Sequence, residues 1–294
     1  MKAETTLESR VLSRVDDGGS VCEDLTGATA DTVWVLDGAS GAVRENLTDA
    51  PSDGRWYVEQ FDNYLTESEG ASAPLPEVVR RGVRRVGGRL RTLTEDTELT
   101  RVRQPLTAGA VLRARDGWLE YLLSADCNLA LQRPDGRTEV IRGDGPRSLD
   151  ASVLESIQRL KQNGGLSHEV ARRRTRNQIV ENRRQLNTPG GYWALSVDTR
   201  AVDHARGSTL NPASVDRIAL YTDGFERLTE LYEAVGYSTI FERAEEGSLA
   251  PLFEKLRSVE SSDPNCEQYP RTKPSDDAAL SVVDIPDRLG SLSR

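Results

Sequence analysis

Aspartates end or leave short apolar runs at four widely separated places in this chain of 294 residues, and no other feature constrains its fold as much. Asp37 closes Val33-Trp34-Val35-Leu36 and is followed by Gly38-Ala39-Ser40-Gly41. Asp126 follows Leu122-Leu123-Ser124-Ala125, and Asp223-Gly224 follows Leu220-Tyr221-Thr222. Asp276-Asp277 precedes Ala278-Ala279-Leu280. A carboxylate at the mouth of a buried strand loses hydration, which is costly unless something neutralises it. Several in one place also repel one another. A divalent cation among them resolves both problems. The chain therefore reads as a metal enzyme with oxygen ligands.

The donor inventory narrows the metal. His168 and His204 are the only histidines, and Cys22, Cys127 and Cys266 lie far apart, so neither a catalytic zinc site nor a disulfide framework is expected. Carboxylates and carbonyls prefer hard Mg²⁺ or Mn²⁺. The net charge of −9 argues against nucleic acid or an anionic membrane as the main partner. No apolar run approaches the roughly 18 residues of a membrane span. The first residues carry no apolar stretch, so a signal peptide is not expected. With unpaired cysteines, a reducing cytoplasm is the expected compartment.

Short β-type runs predict strands over 32–36, 108–114, 118–124, 128–132, 192–196, 217–221 and 278–283, with hairpin turns at 115–117 and 134–136. Helical spacing predicts helices over 54–65, 76–93, 150–160, 167–186, 226–235 and 249–259, with Asp150 as an N-cap. Linkers are expected at 66–74, 134–149 and 261–275. Strand follows strand in mid-chain and long helices flank them, which implies an α+β architecture with a mainly antiparallel sheet. One domain is expected, with a core from about 16 to 284 and short polar tails. The four tryptophans, Trp34, Trp56, Trp118 and Trp193, read as core, and both histidines read as surface. The arginines at 172–174, 176, 183 and 184 read as a solvated helix face.

The order of these motifs resembles the metal-dependent serine/threonine phosphatases of the protein phosphatase 2C family. That pattern runs acid pair, D-G-x-x-G, G-D-S, D-G, then D-D or D-N. Here the matching segments are Glu23-Asp24, Asp37-Gly38-Ala39-Ser40-Gly41, Ala125-Asp126-Cys127, Asp223-Gly224 and Asp276-Asp277. The resemblance implies a four-layer αββα sandwich with a binuclear Mn²⁺ or Mg²⁺ centre at one end. It implies that Asp37 bridges both ions, that Asp223 and Asp276 complete the first site, and that Glu23 and the Gly38 carbonyl hold the second. Asp24 would hydrogen-bond a metal-bound water, and Asp126 would belong to a weaker third site.

The activity so implied is hydrolysis of phosphoserine and phosphothreonine on proteins, opposing a kinase in signalling. Two ions sharing a water lower its pKa, and the hydroxide attacks phosphorus with no protein nucleophile. The chain departs from the pattern in three places. Ala125-Asp126-Cys127 replaces G-D-S. Arg227 stands where some members carry another Asp, four positions after the D-G acid. Gly18-Gly19-Ser20 stands where some members carry a phosphate-gripping arginine; Arg14 and Arg44 are remote candidates for that role, which stays unassigned. These departures keep open an alternative, a catalytically silent regulatory or binding module on the same fold. A phosphohydrolase with an aspartate nucleophile is set aside, because it needs a second Asp where Ala39 stands.

Overall fold

A computed structural model describes residues 7, 10–18, 21–43, 45–94 and 99–286. Two five-stranded antiparallel sheets stack face to face. One runs β1 (Val11–Asp16), β10 (Ala278–Asp284), β9 (Arg217–Tyr221), β6 (Asn128–Gln132), β7 (Thr138–Arg142). The other runs β2 (Asp24–Ala28), β3 (Thr32–Ala39), β4 (Leu106–Arg115), β5 (Trp118–Ser124), β8 (Arg206–Leu210). Helices α1 (Asp53–Glu67) and α2 (Leu75–Leu93) cover the second sheet, and α7 (Tyr237–Glu245) and α8 (Ala250–Ser262) cover the first. The result is the four-layer αββα sandwich with mainly antiparallel sheets.

The alternation along β3 shows why the layers form. Val33 and Val35 face the core between the sheets, beside Ala110, Leu112, Leu129 and Leu220. Trp34 and Leu36 face outward, into a second core with Tyr57, Phe61, Val79 and Val83. A period of two in the strand thus feeds two apolar layers at once. The α2 residues Val79, Val83, Val86 and Leu90 recur at helical spacing and form the matching stripe. Ser52 starts α1 by accepting the Arg55 N–H on its hydroxyl at 3.0 Å. A third core joins Tyr221, Leu280 and Val282 to Phe225, Phe241, Phe253 and Leu256 under α7 and α8.

Several elements differ from the sequence expectation, each for a local reason. β1, β2, β7 and β8 were not legible: β1, β2, β7 and β8 sit at sheet edges, where one neighbour suffices and polar residues are tolerated. β7 also occupies part of the stretch read as a linker, 134–149. Residues 192–196 form no strand; Leu195 makes one isolated bridge to Thr107. The helix read over 167–186 is two, α4 (His168–Arg174) and α5 (Arg176–Arg183), broken at Thr175, whose hydroxyl donates to the Arg172 carbonyl at 2.8 Å. The helix read over 226–235 starts earlier, as α6 (Asp223–Glu226), and widens into a π turn over Arg227–Leu231. Helix α3 (Arg147–Gly164) begins ahead of Asp150, which lies inside its first turn and is not the cap. Trp118 is 49% exposed and not core. His168 is buried against the Thr272 carbonyl, 3.2 Å from its Nε2.

Candidate metal centre

The aspartates that the sequence spread over the whole chain meet in one cleft. Its walls include Glu23, Asp24, Asp37, Gly38, Asp126, Asp223 and Asp276, and its volume is about 390 Å³. Each arrives by its own route. Asp37 continues the Val33 and Val35 face of β3, so strand alternation carries it into the space between the sheets. Asp24 is its direct partner across the β2–β3 pairing. Asp126 follows Ala125, whose φ of 53° is left-handed. That conformation costs a residue with a Cβ roughly 1–2 kcal/mol, and it stands where the resembled pattern has glycine. Asp223 follows β9 directly and opens α6, and Asp276 lies just ahead of β10, the neighbour of β9.

Two glycines make the approach possible. A Cβ on Gly38 would lie 2.5 Å from the Glu23 carbonyl oxygen, to which the Gly38 N–H donates at 3.1 Å. A Cβ on Gly224 would lie 1.9 Å from the Asp277 carbonyl oxygen. In both acid-glycine pairs the glycine admits a neighbouring backbone carbonyl, which holds the acid against the opposite loop.

The carboxylates divide by partner. Glu23 accepts the Ser40 hydroxyl and the Ser40 N–H, the latter at 3.3 Å. Asp277 is satisfied by backbone, accepting the N–H groups of Gly18 at 3.1 Å and Glu23 at 2.8 Å. Asp24 accepts the Thr222 hydroxyl at 2.8 Å. Asp276 is held by two cations, Lys273 at 2.7 Å and Arg227 at 2.5 Å. The carboxylates of Asp37 and Asp223 accept no hydrogen bond among the described residues, although the Asp37 backbone carbonyl accepts the Thr107 hydroxyl at 3.0 Å.

Their acidities follow from this. Withdrawal from water, and then the charges of Asp24, Asp223, Asp126 and Asp276, raise the Asp37 carboxyl well above the usual range. Asp24 is raised by burial, against which the Thr222 hydrogen bond works, and then by Asp223, Asp277 and Asp276. Burial and the Asp223 charge push Asp126 up to about 8. Asp276 goes the other way: burial opposes it, but Lys273 and Arg227 together hold it below its ordinary value. Burial and mutual repulsion thus crowd protons onto Asp24, Asp37 and Asp126.

The donor set suits a hard divalent ion. Every donor is oxygen, and Asp37 faces the cleft with only other carboxylates around its charge, while Asp223 shares the charges of Arg227 and Lys273 with Asp276. Among the described residues no group of three or more His, Cys, Asp or Glu is already gathered at ligand spacing, as expected of carboxylates that repel. The cleft also holds residues that the sequence did not flag for it: Asp150, Arg172, Asn182, Arg183, Tyr192, Arg227 and Lys273. Arg227 had a signal, its position one helical turn beyond Asp223. Asp150, Arg172, Asn182 and Arg183 depend on how α3, α4 and α5 fold over the cleft, and Tyr192 and Lys273 come from loops. Arg172 and Arg183 therefore do not sit on a wholly solvated face. Arg14 lies away from the cleft, with its guanidinium 5.3 Å from the Phe253 ring centroid in the outer layer. Arg44 lies outside the described residues.

No protein-family model matches the chain, and no curated protein matches it by sequence. Solved structures do. The catalytic domain of the serine/threonine phosphatase PstP, in complex with two manganese ions, is 19% identical, with a TM-score of 0.54 over 95% of this chain and 98% of that one. Serine/threonine phosphatase Stp1 from Staphylococcus aureus is 14% identical, with a TM-score of 0.55 over 97% and 98%. The PPM phosphatase MsPP from Mycobacterium smegmatis, in complex with cacodylate, is 14% identical, with a TM-score of 0.51 over 96% and 100%. The chain has the fold of the protein phosphatase 2C-like serine/threonine phosphatases.

Proposed function

We propose that the protein is a Mn²⁺- or Mg²⁺-dependent phosphomonoester hydrolase that removes phosphate from phosphoserine and phosphothreonine on proteins. One observation carries the reading: Asp37 and Asp223, far apart in sequence, line the same cleft on a phosphatase fold, and Asp37 has only other carboxylates around its charge among the described residues. Asp37, Asp223, Glu23 and the Gly38 carbonyl are the groups that would hold divalent ions, with Asp126 lining the same cleft near Asp223. A bound ion supplies Lewis acidity, acidifying water and offsetting phosphoryl charge.

The chain's own residues would do the rest. Asp24, fixed by Thr222, keeps its second carboxylate oxygen for a water. Burial and the neighbouring carboxylates raise its affinity for protons, which suits a group that accepts a hydrogen from a water beside it. Arg172 and Arg183 add positive charge to the cleft wall for an anionic phosphoryl group. Among the described residues no serine or cysteine nucleophile with an adjacent base lines the cleft, so direct attack by water is the fitting route. A reducing, cytoplasmic setting fits the three free cysteines.

A second reading, a binding module without turnover, draws on the pairing of Asp276 with Arg227 and Lys273. Purified protein assayed with p-nitrophenyl phosphate and a phosphothreonine peptide, with Mn²⁺ and with chelator, separates the two. Metal-dependent phosphate release is the expected result. Folded protein that binds Mn²⁺ and releases no phosphate favours the module.

A further inference from the structure

Asp276 has both of its oxygens engaged by protein cations. Lys273 Nζ donates to Oδ1 at 2.7 Å, and Arg227 Nη2 donates to Oδ2 at 2.5 Å. A divalent ion placed on this carboxylate would share it with an ammonium and a guanidinium at contact distance, and like charges so close repel strongly.

Neither cation is a loose surface charge. The Arg227 side chain is 11% exposed and begins the π turn that follows Asp223. Its other nitrogen, Nη1, lies 3.9 Å from Glu260 Oε1. Glu260 is 1% exposed and is gripped by Arg257 at 2.5 Å, which in turn holds Asp16 at 2.8 Å. Arg227 is thus the inner end of a buried chain of alternating charges, and turning it away would break that chain. Lys273 has an exposed side chain on a built loop. Asp263 accepts the N–H groups of Glu267, Gln268 and Tyr269, and Arg271 bonds Asp263 at 2.8 Å and the Pro274 carbonyl at 2.9 Å. The loop delivers Lys273 and Asp276 together, three positions apart.

We infer that Arg227 and Lys273 stand in for one divalent ion at the Asp276 end of the cleft, so that the protein takes a single Mn²⁺ or Mg²⁺ where a binuclear centre would need Asp276. Their two unit charges equal one such ion. The remaining ion sits with Asp37, which has no protein cation beside it among the described residues. This rests on the reading of the cleft as a divalent-metal site.

The test counts Mn²⁺ per chain by calorimetry and by elemental analysis after dialysis, and reads electron paramagnetic resonance for the hyperfine pattern of an isolated ion. Wild type is expected to hold one ion without spin coupling to another. Arg227→Gln combined with Lys273→Gln is expected to hold two, with the broadened signal of a coupled pair. If the double variant does not fold, Lys273→Gln alone, at an exposed side chain, is expected to tighten a second, weak site at least tenfold. Two tightly held ions in wild type overturn the inference and leave the metal reading standing. No bound ion in wild type overturns both. A double variant, or a folded Lys273→Gln, that gains no second ion overturns the role given to these cations.

Discussion

Thr222 and Asp24 join the two sheets at the cleft. The Thr222 hydroxyl, at the end of β9, donates to Asp24 Oδ2 on β2 at 2.8 Å across 198 residues of sequence. The Thr222 hydroxyl oxygen in turn accepts the Ala279 N–H at 2.9 Å. Thr222→Val keeps the shape and removes both bonds inside a buried site. Loss of about 1–3 kcal/mol is expected from the unpaired acceptor and donor it leaves. Urea unfolding of the metal-free protein checks it, and an unchanged midpoint would show that water replaces the hydroxyl.

Asp37→Asn and Asp223→Asn should separate stability from function. Asp37→Asn removes a carboxylate with no cation beside it among the described residues, so the metal-free protein should melt higher; Asp223→Asn also gives up attraction to Arg227 and Lys273, so its melt should move less. Mn²⁺ affinity and phosphate release should each fall by at least about a hundredfold, since loss of a ligand's outer partner alone costs up to that much. Thermal melts, calorimetry and turnover of p-nitrophenyl phosphate check the three parts. A variant that melts far lower points to a structural role.

The pH dependence has a definite sign. Asp126, at about 8, and Asp150, at about 6, bind protons more tightly when folded than when unfolded, through withdrawal from water and the Asp223 charge. A folded state that holds more protons loses stability as pH rises between the unfolded and folded values. The metal-free protein should therefore weaken from pH 5 to pH 8. Mn²⁺ competes with those protons, so its affinity should rise over the same interval. Melting scans with and without Mn²⁺ should diverge with increasing pH, and parallel curves would count against the shared site.

The Asp263–Arg271 pair should be needed for the loop that carries Lys273 and Asp276. Both side chains are nearly buried and bonded at 2.8 Å. Asp263→Ala leaves Arg271 uncompensated and frees three backbone N–H groups, for an expected loss of about 3–5 kcal/mol. The fall should appear in the unfolding free energy, and hydrogen exchange should quicken over 267–275 before elsewhere.

Gly224→Ala places a methyl 1.9 Å from the Asp277 carbonyl oxygen, which is backbone and cannot rotate away. A cost of about 1–3 kcal/mol and a weaker metal site are expected, because the strand carrying Asp276 must move. A melt and a Mn²⁺ titration matching wild type would show that the acid-glycine pairing is dispensable.

The sequence by itself determined the central strands, the acids that end them and the chemistry those acids share. Val33-Trp34-Val35-Leu36-Asp37 reads as a buried strand from its apolar, β-branched residues alone, and a carboxylate after such a run is conspicuous in any context. Tertiary structure alone decided which charges stand beside which. Nothing near Asp276 in sequence reveals that Arg227 meets it, 49 residues away, or that Asp150 lines the cleft instead of capping its helix. Edge strands such as β8 were equally silent, because an edge asks little of side chains. Periodicity records the face a residue must bury, a local matter of backbone geometry. The partner of a charge is set by where separate loops end, and that is fixed only when the layers close on one another.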